Sequence, residues 1–447
     1  MIDNNYNEKF RIFFKKFEKQ YLIAKTNEEK SFLWDLVVEY IEKNRDFVMQ
    51  YPIVQYWEKI KSSEYNKLEK IFFQEYCWSE VNLYFHIPFC KTRCTYCNFH
   101  IITWDKNKSL ISHVYINKLL KEIDLFIKNV DDFKVKTIFI WWWTPSYLDE
   151  NDLEYLLSTI QNKFQNNYDK NIEISFEWNP DSFNLEKLKI LKKYNVNRLS
   201  FWVQTFNNDI LKNINRTYTE KTVYEIIDLS KKIWFNNINI DMIYWLPWHN
   251  YELMKMDLDI VSKLDINHIT YYPLYYYDEA ILNKSNKKEN NIKQIYNFYD
   301  EVVDILWENK FNQYWREYFC KWNNISNYQN NFVSNWLLYW FWHSAYSFNW
   351  KYAFKKDHNL NNYLSRMNNL IDFYKYDSEN KNRRLFVLWS RNIKIEKSKL
   401  ENIQNIDYIK KIIKICIELK LIKEFDNCYE LSGKWLKYQE ILAHMFV

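Results

Sequence analysis

From Val81 onward the chain alternates between two rhythms. Short apolar runs rich in β-branched and aromatic residues give way to stretches whose apolar positions recur every three or four residues. The first rhythm is that of buried strands and the second that of amphipathic helices. Strands are predicted at 81–86, 136–140, 173–177, 198–203, 237–243 and 268–274, with helices at 109–129, 153–164, 185–194, 222–232 and 254–263 between them. Strands separated by helices imply right-handed crossovers and a parallel sheet, so the fold class is α/β.

The ends of the chain read differently. In residues 1–80, Phe10, Phe13, Phe14 and Phe17 mark one helical stripe, a second runs from Phe32 to Phe47, and Tyr51-Pro52 breaks the pattern. This is an N-terminal helical extension without visible chemistry. Residues 283–300 are polar and read as a loop entering a helix. From Asn369 helices return, with Ile409, Ile412, Ile413, Cys416 and Ile417 on one face. Asp426–Leu431 and Gly433 then suggest a strand-turn pair before a final helix. A small C-terminal winged-helix-like domain is expected. It has no strong basic face and so reads as a lid over the mouth of the barrel, not a DNA-binding module. The expected division is 1–80, 81–282, 283–368 as a capping and linking region, and 369–447.

Composition narrows the possible functions. Apolar residues make up 47 %, ample for a core, and 62 basic against 57 acidic residues leave a net charge of +5. That near balance, with lysines spread along the chain, is a solvated surface and not a nucleic-acid footprint. The first residues lack a signal peptide's apolar centre, and no uncharged apolar run approaches membrane-spanning length. A soluble cytoplasmic protein without an integral membrane segment is expected. Seven cysteines without a framework pattern suit a reducing compartment. Of these, Cys77, Cys320, Cys416 and Cys428 stand alone and are expected to be buried as small hydrophobes.

The other three lie in Leu83–His100, LYFHIPFCKTRCTYCNFH, as Cys90, Cys94 and Cys97. Three thiolates this close are a metal-ligand signature. Structural zinc takes four ligands, and here the local count stops at three because Phe99 stands two beyond Cys97. A [4Fe-4S] cube on three cysteines keeps one iron open to a small molecule. Half a zinc site completed elsewhere is the alternative. Polar residues also fall one per βα unit near strand ends: Glu177 in FEWNPD, Gln204 in WVQTFN, Arg216 in NINRTYT and Asp241 in INIDMIYWLP.

One feature of the composition is anomalous: 447 residues contain one glycine and 21 tryptophans. Ordinary usage would give about 7 % glycine, or about 30 residues. Left-handed turns and close backbone approaches cannot be made on that supply. Tryptophans stand where glycine is expected, in WWWTPS at 141–146, IYWLPW at 243–248 and FWVQTFN at 201–207. Assigning UGA to tryptophan in a lineage that reads it as glycine produces this pattern. Most of the tryptophan letters are therefore expected to be glycine in the living protein. Its intact mass would then fall below 55.9 kDa.

The run Tyr84-Phe85-His86-Ile87-Pro88-Phe89 before Cys90 resembles the radical S-adenosylmethionine (SAM) enzymes. More narrowly, it resembles the oxygen-independent coproporphyrinogen III oxidase family and its heme chaperone (HemW) branch. In that family the tryptophan-bearing segments read GGGTPS, IYGLPG and FGVQSFN. The resemblance spans roughly residues 81–447 and implies a partial (β/α)6 barrel. It implies a [4Fe-4S] cluster on Cys90, Cys94 and Cys97, whose open iron chelates SAM and reductively cleaves it to a 5′-deoxyadenosyl radical. It further implies SAM contacts from Tyr84, Trp142, Trp143, Thr144, Glu177, Gln204, Arg216 and Asp241, with Tyr96 near the adenine. Segments 311–322 and 326–348 also resemble the family. Phe99 favours the chaperone branch over the oxidases, which carry a fourth cysteine there. The chaperones' H-N-x-x-Y-W motif is departed from, since Tyr328–Val333 holds no histidine. His86 belongs to the family motif, while His100, His249, His268 and His343 read as ordinary polar residues. The implied function is a heme chaperone-like protein of tetrapyrrole metabolism. The alternatives are coproporphyrinogen decarboxylation, a heme-modifying radical SAM methyltransferase, and a non-catalytic zinc scaffold. Implied partners are heme or a porphyrinogen and an electron donor such as flavodoxin or ferredoxin.

Overall fold

The computed structural model describes residues 6–44, 58–59, 61–97, 101–103, 108–143, 147–182, 184–275, 280–282, 292–334, 337–365, 370–401, 407–431 and 433–445. Phe47, Tyr51-Pro52, His100, Thr144 and 283–291 lie outside the described residues.

Helices α1 (Tyr6–Ile23), α2 (Asn27–Asn44) and α3 (Tyr65–Gln74) come first. The βα repeat follows: β1 (Glu80–Ile87), α4 (Lys108–Asn129), β2 (Lys134–Trp143), α5 (Glu150–Phe164), β3 (Tyr168–Trp178), α6 (Leu185–Lys193), β4 (Arg198–Gln204), α7 (Asn208–Asn213), α8 (Glu220–Lys232), β5 (Asn237–Tyr244), α9 (Tyr251–Lys263) and β6 (His268–Pro273). Each predicted strand and crossover helix is present. Side chains define the helix starts: Asp149, Asn184, Asn207 and Asn250 each cap by accepting a backbone N–H three residues on.

β1 to β6 pair in sequence, all parallel. Helices cover the outer face, and one large core fills the space beneath them. This explains why β1 is buried at every position but its first. After α10 (Ile292–Glu308), β7 (Tyr318–Cys320) adds antiparallel to β6. α11 (Asn327–Ser334) leads into β8 (Leu338–Phe341), which pairs parallel to the outer edge of β1. Among the described residues the sheet thus holds seven parallel strands, one more than predicted. β9 (Tyr346–Phe348), β10 (Tyr352–Lys356) and β11 (Leu370–Lys375) continue it antiparallel.

The C-terminal module begins with α12 (Ser378–Trp389) and β12 (Lys394–Glu396). It continues through α13 (Asp407–Glu418), β13 (Ile422–Glu424) and β14 (Cys428–Leu431) to α14 (Gln439–Met445). β12, β14 and β13 form a three-stranded antiparallel sheet. Its core is shared with the N-terminal extension: Phe14, Phe17, Tyr21, Trp34, Val37 and Ile41 pack with Ile409, Ile412, Ile413, Leu442 and Met445. Helices α1 and α2 therefore build on the far end of the chain, while Phe72 and Phe73 of α3 and Tyr76 after it join the barrel core.

Three expectations need correction. Phe32 is exposed at 63 %, and the second helical stripe runs through Trp34, Val37, Val38 and Ile41. In α13 Ile415 is buried while Ile417 is only half-buried. Cys320 and Cys416 are buried as expected, but Cys77 and Cys428 are half-buried.

The backbone also bears on the tryptophan anomaly. Trp78, Trp234, Trp245, Trp248 and Trp322 have positive φ, between 52° and 69°. At the end of α8, Trp234 N–H bonds Lys231 C=O and Phe235 N–H bonds Ser230 C=O. That is the Schellman cap, whose left-handed position glycine favours. Leu246-Pro247-Trp248-His249 closes with His249 N–H on Leu246 C=O, 2.9 Å, and places Trp248 at the third position. A turn with proline second and positive φ third is type II, which calls for glycine there. Trp178 and Trp389, by contrast, are buried without positive φ.

Candidate metal and cofactor site

The loop after β1 carries the three cysteines. Cys90 and Cys97 are buried and Cys94 is half-buried. The loop is fastened to the turn after α7: Thr95 N–H donates to Ile214 C=O, Thr92 Oγ1 to Asn215 C=O, and Asn215 Nδ2 to Arg93 C=O. Arg216 Nη2 donates to Tyr96 Oη at 2.7 Å. All three cysteines line a cavity of about 460 Å³. Among the described residues no three His, Cys, Asp or Glu side chains already stand at the close spacing of a metal centre.

Glu177, Gln204, Arg216 and Asp241, one per βα unit, line the same cavity as the cysteines and Tyr96. Strand ends bring together residues up to 151 positions apart (241 − 90). Burial, and after it the neighbouring Asp241, push the Glu177 carboxyl well above the usual range, and its Oε2 has no hydrogen-bond partner among the described residues. Burial also raises Asp241, opposed by hydrogen bonds from Asn239, Thr270 and Ser200. Ser200 Oγ reaches Asp241 at 3.0 Å, and so does Asn239 Nδ2. Two carboxyls raised by burial, Glu177 further by Asp241, favour an incoming cation, which lets both ionise.

Gln204 ends β4 at φ 65°, and its buried Oε1 also lacks a partner among the described residues. The next turn is clamped. Asp257 of α9 accepts from Thr205 Oγ1 at 2.6 Å and from Phe206 N–H at 2.8 Å. His249 Nδ1 accepts from Leu246 N–H, so Nε2 carries the proton and faces Thr205 Oγ1 and Asp257. Burial holds His249 down at about 4 and lifts Asp257 to about 7.

Tyr84 is buried, bonded to His86 Nδ1 at 3.0 Å and packed on Trp340. It belongs to the aromatic wall with Phe139 and Tyr328, not to the cavity lining itself. Trp142 and Trp143 close β2, at the level of the cysteine loop. His268 is spent on Asn239 and Tyr314.

Several lining residues have no counterpart among the predictions. Ser200, Asn239 and Thr270 do carry a signal, being polar positions inside otherwise apolar strands. Trp315, Glu317, Tyr328 and Gln329 come from the segment after the barrel, and Arg391 and Glu440 from the C-terminal module. Glu173 positions part of this wall, accepting from Asn327 N–H at 2.9 Å and Tyr328 N–H at 3.1 Å at the start of α11. Trp315, Glu317, Tyr328 and Gln329 lie in segments that the family resemblance covers without a role of their own, and nothing local in the sequence marks Arg391 or Glu440.

Residues 84–260 match the Radical SAM superfamily. A heme chaperone HemW of Lactococcus lactis is 35 % identical over 237 residues, 52 % of this chain and 60 % of that protein. The HemW of Bacillus subtilis is 36 % identical over 195 residues, 43 % of this chain and 49 % of that one. An oxygen-independent coproporphyrinogen III oxidase of Escherichia coli is 30 % identical over 196 residues, 43 % of this chain and 41 % of that one. The chain thus spans about half the length of the curated relatives it matches. The solved E. coli coproporphyrinogen III oxidase, HemN, superposes with a TM-score of 0.77 at 19 % identity, covering 92 % of this chain and 98 % of that one. The fold is that of HemN, and the resemblance to the HemW-like branch holds. The family implies a [4Fe-4S] cluster and SAM. The residues fit both: three thiols without a fourth in their loop, beside a cavity edged by Glu177 and Gln204, whose buried Oε2 and Oε1 have no hydrogen-bond partner among the described residues.

Proposed function

We propose that this radical SAM domain holds a [4Fe-4S] cluster on Cys90, Cys94 and Cys97 and binds SAM along the strand ends. When bound, the cluster supplies the electron that cleaves SAM. The chain's own residues orient the cofactor. Glu177 and Asp241 suit its ammonium and ribose hydroxyls, Arg216 its carboxylate, and Gln204 and Tyr96 the nucleoside. The backbone of Trp142 and Trp143, at the end of β2, would meet the methionyl amino group. The observation that carries this reading is a single cavity lined by the three cysteines together with all four strand-end polar residues.

For the whole protein the reading is a cytoplasmic heme chaperone-like protein that binds heme and hands it to apoproteins, with flavodoxin or ferredoxin as electron donor. A second reading, oxidative decarboxylation of coproporphyrinogen III, is favoured by the missing histidine in Tyr328–Val333 and by the HemN-like fold across the chain. Four indoles, from Trp141, Trp202, Trp315 and Trp340, stand in the cavity wall. Glycine at any of them makes more room for a tetrapyrrole.

Anaerobic reconstitution of protein expressed with UGA read as glycine tests the proposal. A brown protein that yields 5′-deoxyadenosine on dithionite reduction, and loses both properties when any of the three cysteines becomes alanine, is expected. Full iron loading in such a variant defeats it. Heme titration and coproporphyrinogen turnover then separate chaperone from oxidase.

A further inference from the structure

The strands set one row of side chains across the cavity. Asp241 of β5 stands in register with Thr270 of β6, and Thr270 in turn with Tyr318 of β7, the antiparallel strand added after the barrel. All three line the cavity. Tyr318 is thus two strand spacings, roughly 10 Å, from Asp241. Its hydroxyl differs from those of three other tyrosines in the wall. Tyr96 Oη accepts from Arg216, Tyr328 Oη accepts from Trp340 Nε1 at 3.2 Å, and Tyr275 Oη donates to Glu317 at 3.4 Å. Tyr318 Oη makes no hydrogen bond among the described residues. Packing holds its ring, with Tyr314 at 5.8 Å, His268 at 5.9 Å and Trp315 edge-on at 5.2 Å. Among the described residues no histidine or methionine lines the cavity.

A phenol enclosed without a partner costs free energy, and the cost has a use if a ligand completes it. Burial, and after it Tyr314, Asp241, Glu317 and Glu177, hold this phenol well above the usual tyrosine range. It stays protonated until a cation takes the oxygen, as bound metal ions deprotonate their ligands outright. Ferric heme is such a cation. Iron(III) in a doubly deprotonated porphyrin keeps a net positive charge, and tyrosinate is one of the axial ligands that heme iron accepts. Space for the ring lies in the right place. Trp315, one of the four indoles in the wall, packs directly on Tyr318, so glycine there opens the cavity beside the phenol.

We propose that Tyr318 Oη is the axial ligand that captures ferric heme in this cavity. The Oη–H bond breaks and an Oη–iron bond forms in place of the iron's bound hydroxide, which takes the proton and leaves as water. The spacing along the row keeps the iron clear of the SAM contact at Asp241. The proposal rests on the heme reading above for the identity of the ligand.

The test is a titration of the reconstituted full chain with ferric heme and, separately, with metal-free protoporphyrin IX, for wild type and Y318F. Phenylalanine keeps the ring and its packing and removes only the oxygen. Resonance Raman spectra of the heme complex report the iron–phenolate bond through its phenolate ring bands, which the iron–sulfur cluster does not give. Wild type is expected to show those bands and to bind heme at least about tenfold more tightly than the metal-free ring. Y318F is expected to lose both the bands and the preference. If the wild-type complex shows no phenolate bands, or if Y318F keeps them, Tyr318 is not the ligand and the proposal is overturned while the heme reading stands. The same holds if wild type binds heme no more tightly than the metal-free ring. If wild type takes up no heme at all, the heme reading fails and takes the proposal with it.

Discussion

At five of the described positions the backbone turns left-handed and carries an indole. For a residue with a Cβ the left-handed region costs roughly 1–2 kcal/mol, and glycine removes that cost. Trp234 is the cleanest case, since both hydrogen bonds of its helix cap are made and the ring is 75 % exposed. Nothing is lost by deleting it. Trp234→Gly is therefore expected to raise the unfolding free energy by about 1 kcal/mol in urea titrations, where most point changes lower it. An unchanged or lower midpoint would show that the cap does not need glycine. The same geometry recurs at Asn195, Lys310 and Lys420, so the fold tolerates other residues there. What it does not explain is 21 tryptophans against one glycine, and there the coding reading stands.

Among the elements, the turn after β4 shows how a site is held from behind. Asp257 reaches from α9 to fix Thr205 and Phe206, directly after the left-handed Gln204. It faces His249, neutral above about 4, and feels Glu220 at longer range. Its carboxyl is raised in the fold to about 7 from 3.8, so the protonated form is the one the fold favours. Its contribution to stability is complete below pH 3.8 and is lost as pH rises through 7. Asparagine mimics the protonated acid at every pH. Asp257→Asn should therefore gain on wild type as pH rises from 5 to 8, by at most ~1.4 kcal/mol per unit. A pH-independent difference in thermal or urea unfolding would refute this.

Legibility varied at the same scale. The βα rhythm was plain because each strand is buried on both faces and each helix on one, which writes two distinct periods into the sequence. The grouping of Cys90, Cys94 and Cys97 was plain because three cysteines in one loop are a local pattern. Glu177, Gln204, Arg216 and Asp241 were legible once the strands were placed. Strand β8 was not, because its pairing with β1 depends on contacts some 255 positions apart. Arg391 and Glu440 were hidden for the same reason, each looking like any surface charge in its own segment. Phe32 misled because aromatic spacing alone does not say which stripe of a helix finds a partner.

For the molecule as a whole, the two ends of the chain make one body. α1 and α2 share a core with α12, α13 and α14, and Lys30 pairs with Glu418 at 2.8 Å across that joint. Removing residues 1–44 uncovers Ile409, Ile412 and Met445 while leaving the barrel core intact. Limited proteolysis of that truncation is expected to cut first between 386 and 445, with the fragment around 81–341 surviving. Equal resistance of both regions would mean the C-terminal module stands alone.

The parallel contact between β1 and β8 has a temporal consequence. β1 leaves the ribosome early, yet its outer edge stays open until Leu338 arrives opposite Asn82. For all the synthesis time between, a hydrophobic strand offers unpaired backbone to any passing extended chain. Nascent copies crowded on one messenger would be the first such chains available, so slow elongation or crowding during translation should favour insoluble product.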